Sequence, residues 1–205
     1  YGLYPGKDNK VVIFLEDKVG NKISKEIYIK TEELPKDFYT LNLIKSNSKK
    51  MEPGFTFLST IGKPYNSIID ANGDVRWYTN HQSNLIFKRL KNGNMIMNTE
   101  KANKFLEIDL LGKVYNVYSI MSEDIHHDIL ELENGNFLIT TKSGNGSEDS
   151  FIELDRNTGK IIKKVNLKTI LDKKRYLNDD LFKQKFFDMS KSDWFHLNAI
   201  YEHKD

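Results

Sequence analysis

Histidine is the scarce reactive residue of this 205-residue chain, which has five of them (His81, His126, His127, His196 and His203) and no cysteine. Two stand in matching settings. His127 opens the run His127-Asp128-Ile129-Leu130-Glu131-Leu132, and His196 opens His196-Leu197-Asn198-Ala199-Ile200-Tyr201. Both runs read as strands, with the histidine at the starting end. Imidazoles that converge on one pocket suit three chemistries: metal ligation, acid–base or nucleophilic catalysis, and recognition of an anion beside an amide donor. Asn198 lies two residues beyond His196, so on a strand it shares that face and supplies the amide. His126 is a secondary candidate, because adjacent strand residues diverge; that argues against both ligating one metal. A lone histidine more often caps a strand or fills core space. The matched pair is what favours function, and His81 and His203 read as surface residues. No serine elbow, Walker loop or G-x-G-x-x-G occurs, and Gly144-Asn145-Gly146-Ser147 is a weak phosphate loop. No cofactor or metal is expected.

The elements that must position these residues repeat along the chain. Leu90-Lys91-Asn92-Gly93-Asn94-Met95 lies over Leu132-Glu133-Asn134-Gly135-Asn136-Phe137 at an offset of 42. Asn-Gly between apolar runs is a strong hairpin signal. A second turn recurs three times: Asp70-Ala71-Asn72-Gly73, Asp109-Leu110-Leu111-Gly112, and Asp155-Arg156-Asn157-Thr158-Gly159. In each, the Asp opens the turn and the Gly supplies a positive φ. One unit is therefore two hairpins, or four strands, in about 40–46 residues, the content of a β-propeller blade. Residues 49–205 then hold about three to four blades of an incomplete propeller. Residues 168–192 break the pattern, and Leu177, Leu181, Phe182 and Phe186 among polar neighbours suggest a short amphipathic helical insertion.

Ahead of the repeats, residues 11–16 and 23–30 flank Gly20-Asn21 and read as a hairpin, with a further strand expected at 39–44 and a linker at 45–50. Residues 1–48 are thus expected to form a small β-sandwich-like domain, and the fold class is all-β. With 39% apolar and 12% aromatic residues the chain can bury a core. A net charge of +2 offers no field for nucleic acid or an anionic membrane surface, and no apolar run is long enough to span a bilayer. The start at Tyr1-Gly2-Leu3-Tyr4 has neither initiator Met nor signal-peptide pattern, and Tyr201-Glu202-His203-Lys204-Asp205 reads as a cut through a strand.

Three segments carry a family resemblance: Ile68 to Tyr78, His126 to Asn136, and Asp193-Trp194-Phe195-His196-Leu197-Asn198. Together they resemble the bacterial arylsulfate sulfotransferases, with Tyr4-Pro5-Gly6 and Lys10-Val11-Val12 similar to the family's small N-terminal β-domain. The resemblance implies a six-bladed propeller enzyme that is exported, usually to the periplasm, and often homodimeric. It implies transfer of a sulfuryl group from a phenolic sulfate ester to an acceptor phenol through a covalent sulfohistidine. His127 matches one active-site histidine of the family, and His196 with Asn198 matches its His-x-Asn pair. The family's nucleophilic histidine and sulfate-binding arginine fall beyond Asp205, so this stretch alone is expected to be inactive. Two readings compete with it. One is a non-enzymatic propeller acting as a binding scaffold. The other is a metal-dependent hydrolase or lyase with the histidines as ligands.

Overall fold

Alternating apolar residues between Gly-containing turns favour antiparallel ladders, and these dominate the computed structural model, which describes residues 2–81, 83, 85–142, 148–171 and 195–203. Those residues form thirteen strands in four small antiparallel sheets and almost no helix. The chain divides into two units, one of residues 1–58 with 63–81 and one of 59–62 with 82–205.

The first unit begins with the expected hairpin. β1 (Asp8–Glu16) pairs with β2 (Lys22–Lys30) from Asp8↔Lys30 to Glu16↔Lys22. Asp17 ties the turn, its Oδ1 accepting from the backbone of Val19 and Asn21, both at 2.9 Å. The strand expected at 39–44 does not form. Side chains fix that segment instead of a ladder: Phe38 stacks on Tyr65 at 5.2 Å, Tyr39 Oη meets Ser67 Oγ at 2.6 Å, and Ser46 Oγ donates to the Ala71 carbonyl. The linker ends in one 3-10 turn, Ser48–Lys50. A three-stranded sheet follows, β3 (Thr56–Leu58), β4 (Asn66–Ile69) and β5 (Val75–Thr79).

The second unit holds two sheets of four strands each, joined in chain order. The first is β6 (Phe87–Arg89), β7 (Met95–Asn98), β8 (Lys104–Ile108) and β9 (Val114–Ser119). The second is β10 (Ile125–Glu131), β11 (Phe137–Thr141), β12 (Ser150–Leu154) and β13 (Ile161–Asn166). The repeated turns share one chemistry. Asp109 Oδ1 accepts from Leu111 N at 2.8 Å and Lys113 N at 3.0 Å, as Asp70 Oδ1 does from Asn72 N and Asp74 N. A register shift precedes each Asp, at Ile68/Ile69, Glu107/Ile108 and Glu153/Leu154. The Asn-Gly-Asn turns add a clamp absent from the pattern argument. Both asparagine amides of each turn donate to a glutamate on the strand that next joins the hairpin, Glu107 of β8 in the first sheet and Glu153 of β12 in the second.

One apolar cluster joins the two sheets. Phe105 and Tyr118 stack at 4.5 Å, and Phe137 meets both edge-on at 5.6 and 5.4 Å. Burying each such side chain contributes about 1.5–3 kcal/mol. The first strands of the sheets also touch laterally. Lys88 of β6 pairs with Asp128 of β10, and Lys91 N donates to Glu131 Oε2 at 2.7 Å. Of the expected helical insertion, Leu167–Ile170 forms a single turn (α1), capped by Asn166; Leu177, Leu181, Phe182 and Phe186 lie outside the described residues.

Candidate active site

β10 cannot run as a plain strand through its histidines. Ile125 pairs with Thr141 and Ile129 with Ile139, so three residues, His126, His127 and Asp128, face Thr140 alone. The excess is taken up at His127, whose φ is +48°; among the described residues no other non-glycine has a positive φ. That conformation costs a non-glycine residue of order 1–3 kcal/mol and persists only where its surroundings hold it. Thr140, fully buried, does the holding: its hydroxyl accepts from Asp128 N at 3.0 Å and donates to the His126 carbonyl. These bonds stand in for the ladder bonds that the bulge removes.

The bulge overturns the expectation that His126 and His127 diverge. Their rings meet edge-on with centroids 5.1 Å apart, and both approach the carboxylate of Glu148. Glu148 Oε2 lies 3.0 Å from His127 Nε2, 2.8 Å from His196 Nε2 and 3.6 Å from His126 Nδ1, while Oε1 accepts from Lys142 Nζ at 3.1 Å. His127 Nε2 and His196 Nε2 are 2.6 Å apart. At that separation two lone pairs repel and two N–H groups clash, so one ring donates to the other and a single proton lies between them.

Burial pushes the Glu148 carboxyl up. The Lys142 hydrogen bond and the charges of His126, His196 and Lys142 outweigh it, so Glu148 is held below the usual carboxylate range and is ionised at neutral pH. Burial lowers the pKa of His126, against the pull of Glu148 and the Thr141 backbone. His126 is 2% exposed, and neither ring nitrogen makes a well-formed hydrogen bond among the described residues; the Thr141 backbone and Glu148 Oε2, at 3.6 Å from Nδ1, are loose polar neighbours.

His196 arrives differently from the sequence expectation. Residues 195–203 form no strand. Two backbone-to-side-chain bonds and one between backbones pin them: Ile200 N donates to Asp128 Oδ2 at 3.1 Å, Glu133 N to Glu202 Oε2 at 3.0 Å, and Leu197 N to the Glu148 carbonyl at 2.9 Å. Phe195 and Leu197 pack on Leu167, which fixes the segment from its apolar side. The structure thus unites His126, His127 and His196. Asn198 is exposed and forms no hydrogen bond to the rings among the described residues, and with no strand there the shared-face argument for it lapses. His203 is exposed, and His81, half-buried, belongs to the other unit.

Glu148 and Thr140 were not legible as site residues. Register gives no signal for Glu148: Thr141 faces both Ile125 and Ser150, but the residues before Ser150 and those after Ile125 run in opposite directions along β11, so strand pairing alone does not bring the carboxylate to the histidines. Thr140→Val keeps shape and removes the hydroxyl, stranding two buried backbone groups. It is expected to cost about 2–3 kcal/mol in denaturant unfolding, with Thr140→Ser restoring most of it; a loss under about 0.5 kcal/mol, the range of an ordinary surface change, refutes the holding role.

An all-β protein with a clustered imidazole–carboxylate site is the class that fold and geometry define. The family model described as Arylsulfotransferase (ASST) matches residues 40–205, and the chain belongs to that family. No curated protein matches. One solved structure with similarity is a protein of unknown function from Bacteroides caccae, at 19% identity and a TM-score of 0.41. The likeness covers 53% of this chain and 40% of that one.

Proposed function

We propose that the protein is an arylsulfate sulfotransferase that moves a sulfuryl group from a phenolic sulfate ester to a phenol, within a β-propeller of which the two four-stranded sheets are blades. The observation that carries the site assignment is the meeting of His127 Nε2 and His196 Nε2 over one carboxylate. Family membership supplies the reaction class. Support for blades comes from the repeated strand–turn build of the two sheets and the lateral contacts between their first strands.

A sulfuryl group in transfer resembles a phosphoryl group, with negative charge on its outer oxygens and the entering and leaving atoms in line. Two needs follow: donors for those oxygens and a proton for the departing phenolate. The His127–His196 pair holds one mobile proton between two nitrogens and can meet either need. Glu148 Oε2, 3.0 and 2.8 Å from the two Nε2 atoms, balances the positive charge of the pair while it holds the proton that the phenolate will take. In the first half-reaction a histidine nitrogen attacks sulfur, the S–N bond forms, the S–O(aryl) bond breaks, and the leaving phenolate takes the shared proton. In the second half-reaction an acceptor phenol returns a proton to the pair, its oxygen bonds to sulfur, and the S–N bond breaks to free the histidine. By family resemblance a histidine other than these three attacks sulfur, Asn198 belongs to the site with His196, and the enzyme works as an exported, periplasmic homodimer; an amide at Asn198 is suited to donate to a sulfuryl oxygen.

The test uses the full-length protein with an aryl sulfate donor and a different phenol. The expected result is the sulfated second phenol with ping-pong kinetics, and at most one equivalent of donor phenol released when acceptor is omitted. Absence of transfer to any phenol, or steady hydrolysis without acceptor dependence, overturns the proposal.

A further inference from the structure

We propose that His126, His127, His196 and Glu148 form a binding site for one divalent first-row transition ion, zinc by its donor set, and that the ion and sulfuryl transfer exclude each other. The exclusion rests on the sulfotransferase reading; the binding does not.

The argument starts from His126. A 2%-exposed imidazole with no well-formed hydrogen bond to either nitrogen among the described residues leaves two polar groups poorly satisfied, each at a cost of up to about 1–3 kcal/mol. The ring sits 5.1 Å, centroid to centroid, from His127 and 6.4 Å from His196, with Nδ1 at 3.6 Å from Glu148 Oε2. Donor atoms from His126, His127 and Glu148 lie within 4.8 Å of one another. Adding His196 gives three imidazoles and one carboxylate.

Distances favour one shared ion. Tetrahedral zinc bonds of roughly 2.0–2.2 Å place neighbouring donors about 3.3–3.5 Å apart. The separations around Glu148 Oε2 are 2.8, 3.0 and 3.6 Å, and the two Nε2 atoms stand at 2.6 Å. Opening the Nε2 pair by under about 1 Å and drawing in the widest donor pair, within 4.8 Å, reaches that geometry; the His196 side chain, 44% exposed, is not locked in the core. Three nitrogens and one oxygen suit a borderline ion such as zinc and not magnesium, which demands oxygen. Lys142 holds the other carboxylate oxygen at 3.1 Å, which fixes Glu148 and leaves Oε2 to the metal. Zinc would take the lone pairs of His127 and His196 and displace the proton they share.

Calorimetric titration of the chelator-stripped protein with zinc chloride is the test. One equivalent is expected to bind with micromolar or tighter affinity, while magnesium chloride gives no binding heat. Glu148→Gln and His196→Ala, each checked for folding by circular dichroism, are expected to weaken zinc by more than the about 10–100-fold typical of losing an outer-shell partner. Cobalt(II) should give tetrahedral visible bands that both substitutions abolish. No zinc binding in the unsubstituted protein, or binding that both variants retain, overturns the site. A second arm follows sulfuryl transfer. Zinc that binds and blocks transfer, with recovery on adding chelator, supports the exclusion. Zinc that binds without blocking transfer overturns the exclusion and displaces the sulfuryl site from these rings. Transfer in a protein that does not bind zinc removes the metal inference and leaves the proposed function standing.

Discussion

His196→Ala in the full-length protein is expected to lower kcat/KM for sulfuryl transfer by about 10²–10⁴-fold, the usual worth of a positioned acid–base group. The ring is partly exposed and lies outside the apolar cluster of the two sheets, so stability should hold and the loss is chemical. His127→Ala should match it, and the double variant should lose scarcely more than either single one, because a proton shared between two nitrogens at 2.6 Å needs both. Glu148→Gln separates positioning from chemistry. It keeps the shape of the side chain but not its charge, so kcat should fall by at least about tenfold with KM nearly unchanged, and Glu148→Asp should recover part of the loss. Near-normal rates in His127→Ala and His196→Ala together would remove both rings from the mechanism.

Arg156→Met is expected to cost about 3–5 kcal/mol, the penalty for breaking a buried ion pair by removing one partner. The guanidinium spans two sheets: Nη1 is 2.7 Å from Glu131 of β10 and Nη2 is 2.8 Å from Glu107 of β8, with the group 5.1 Å from the Phe137 ring. Glu107 is 3% exposed, so loss of the cation leaves a nearly enclosed carboxylate. Domains are commonly stable by about 5–15 kcal/mol, so this one change removes a large share. Arg156→Lys should restore little, because one ammonium cannot present two separated N–H groups in a fixed fork.

The pH dependence follows from Glu107. Burial raises its pKa, but hydrogen bonds from Asn94, Asn92, Arg156 and Asn116 outweigh that and hold it below the ordinary 4.5. A lowered folded-state pKa contributes stability that is present above 4.5 and lost as pH falls through the folded value. The stability gap between the unsubstituted protein and Arg156→Met should therefore narrow on acidification below 4.5. Urea unfolding at a series of pH values measures it; a gap under about 1 kcal/mol at neutral pH, within the worth of a surface pair, would show that the bridge contributes little.

Much of the strand layout could be read from the residues, because the deciding interactions are local. An Asp that accepts backbone N–H groups two and four residues on, or a Gly at positive φ, acts within one turn. Those turns and the alternating runs between them specify the hairpins and the four-strand repeat whatever lies elsewhere. The same local reasoning failed at residues 39–44 and 196–201, where a strand-like pattern found no ladder and side-chain contacts took over. Sequence also singled out His127 and His196, but not what joins them. Adjacent strand residues should point apart; they meet here because Thr140 holds a bulge that no periodicity encodes. Glu148 lies 21 residues from His127 in the chain, and Arg156 lies 49 from Glu107. Contacts at such separations depend on which strands pair and in what register, so only the packed sheets decide them.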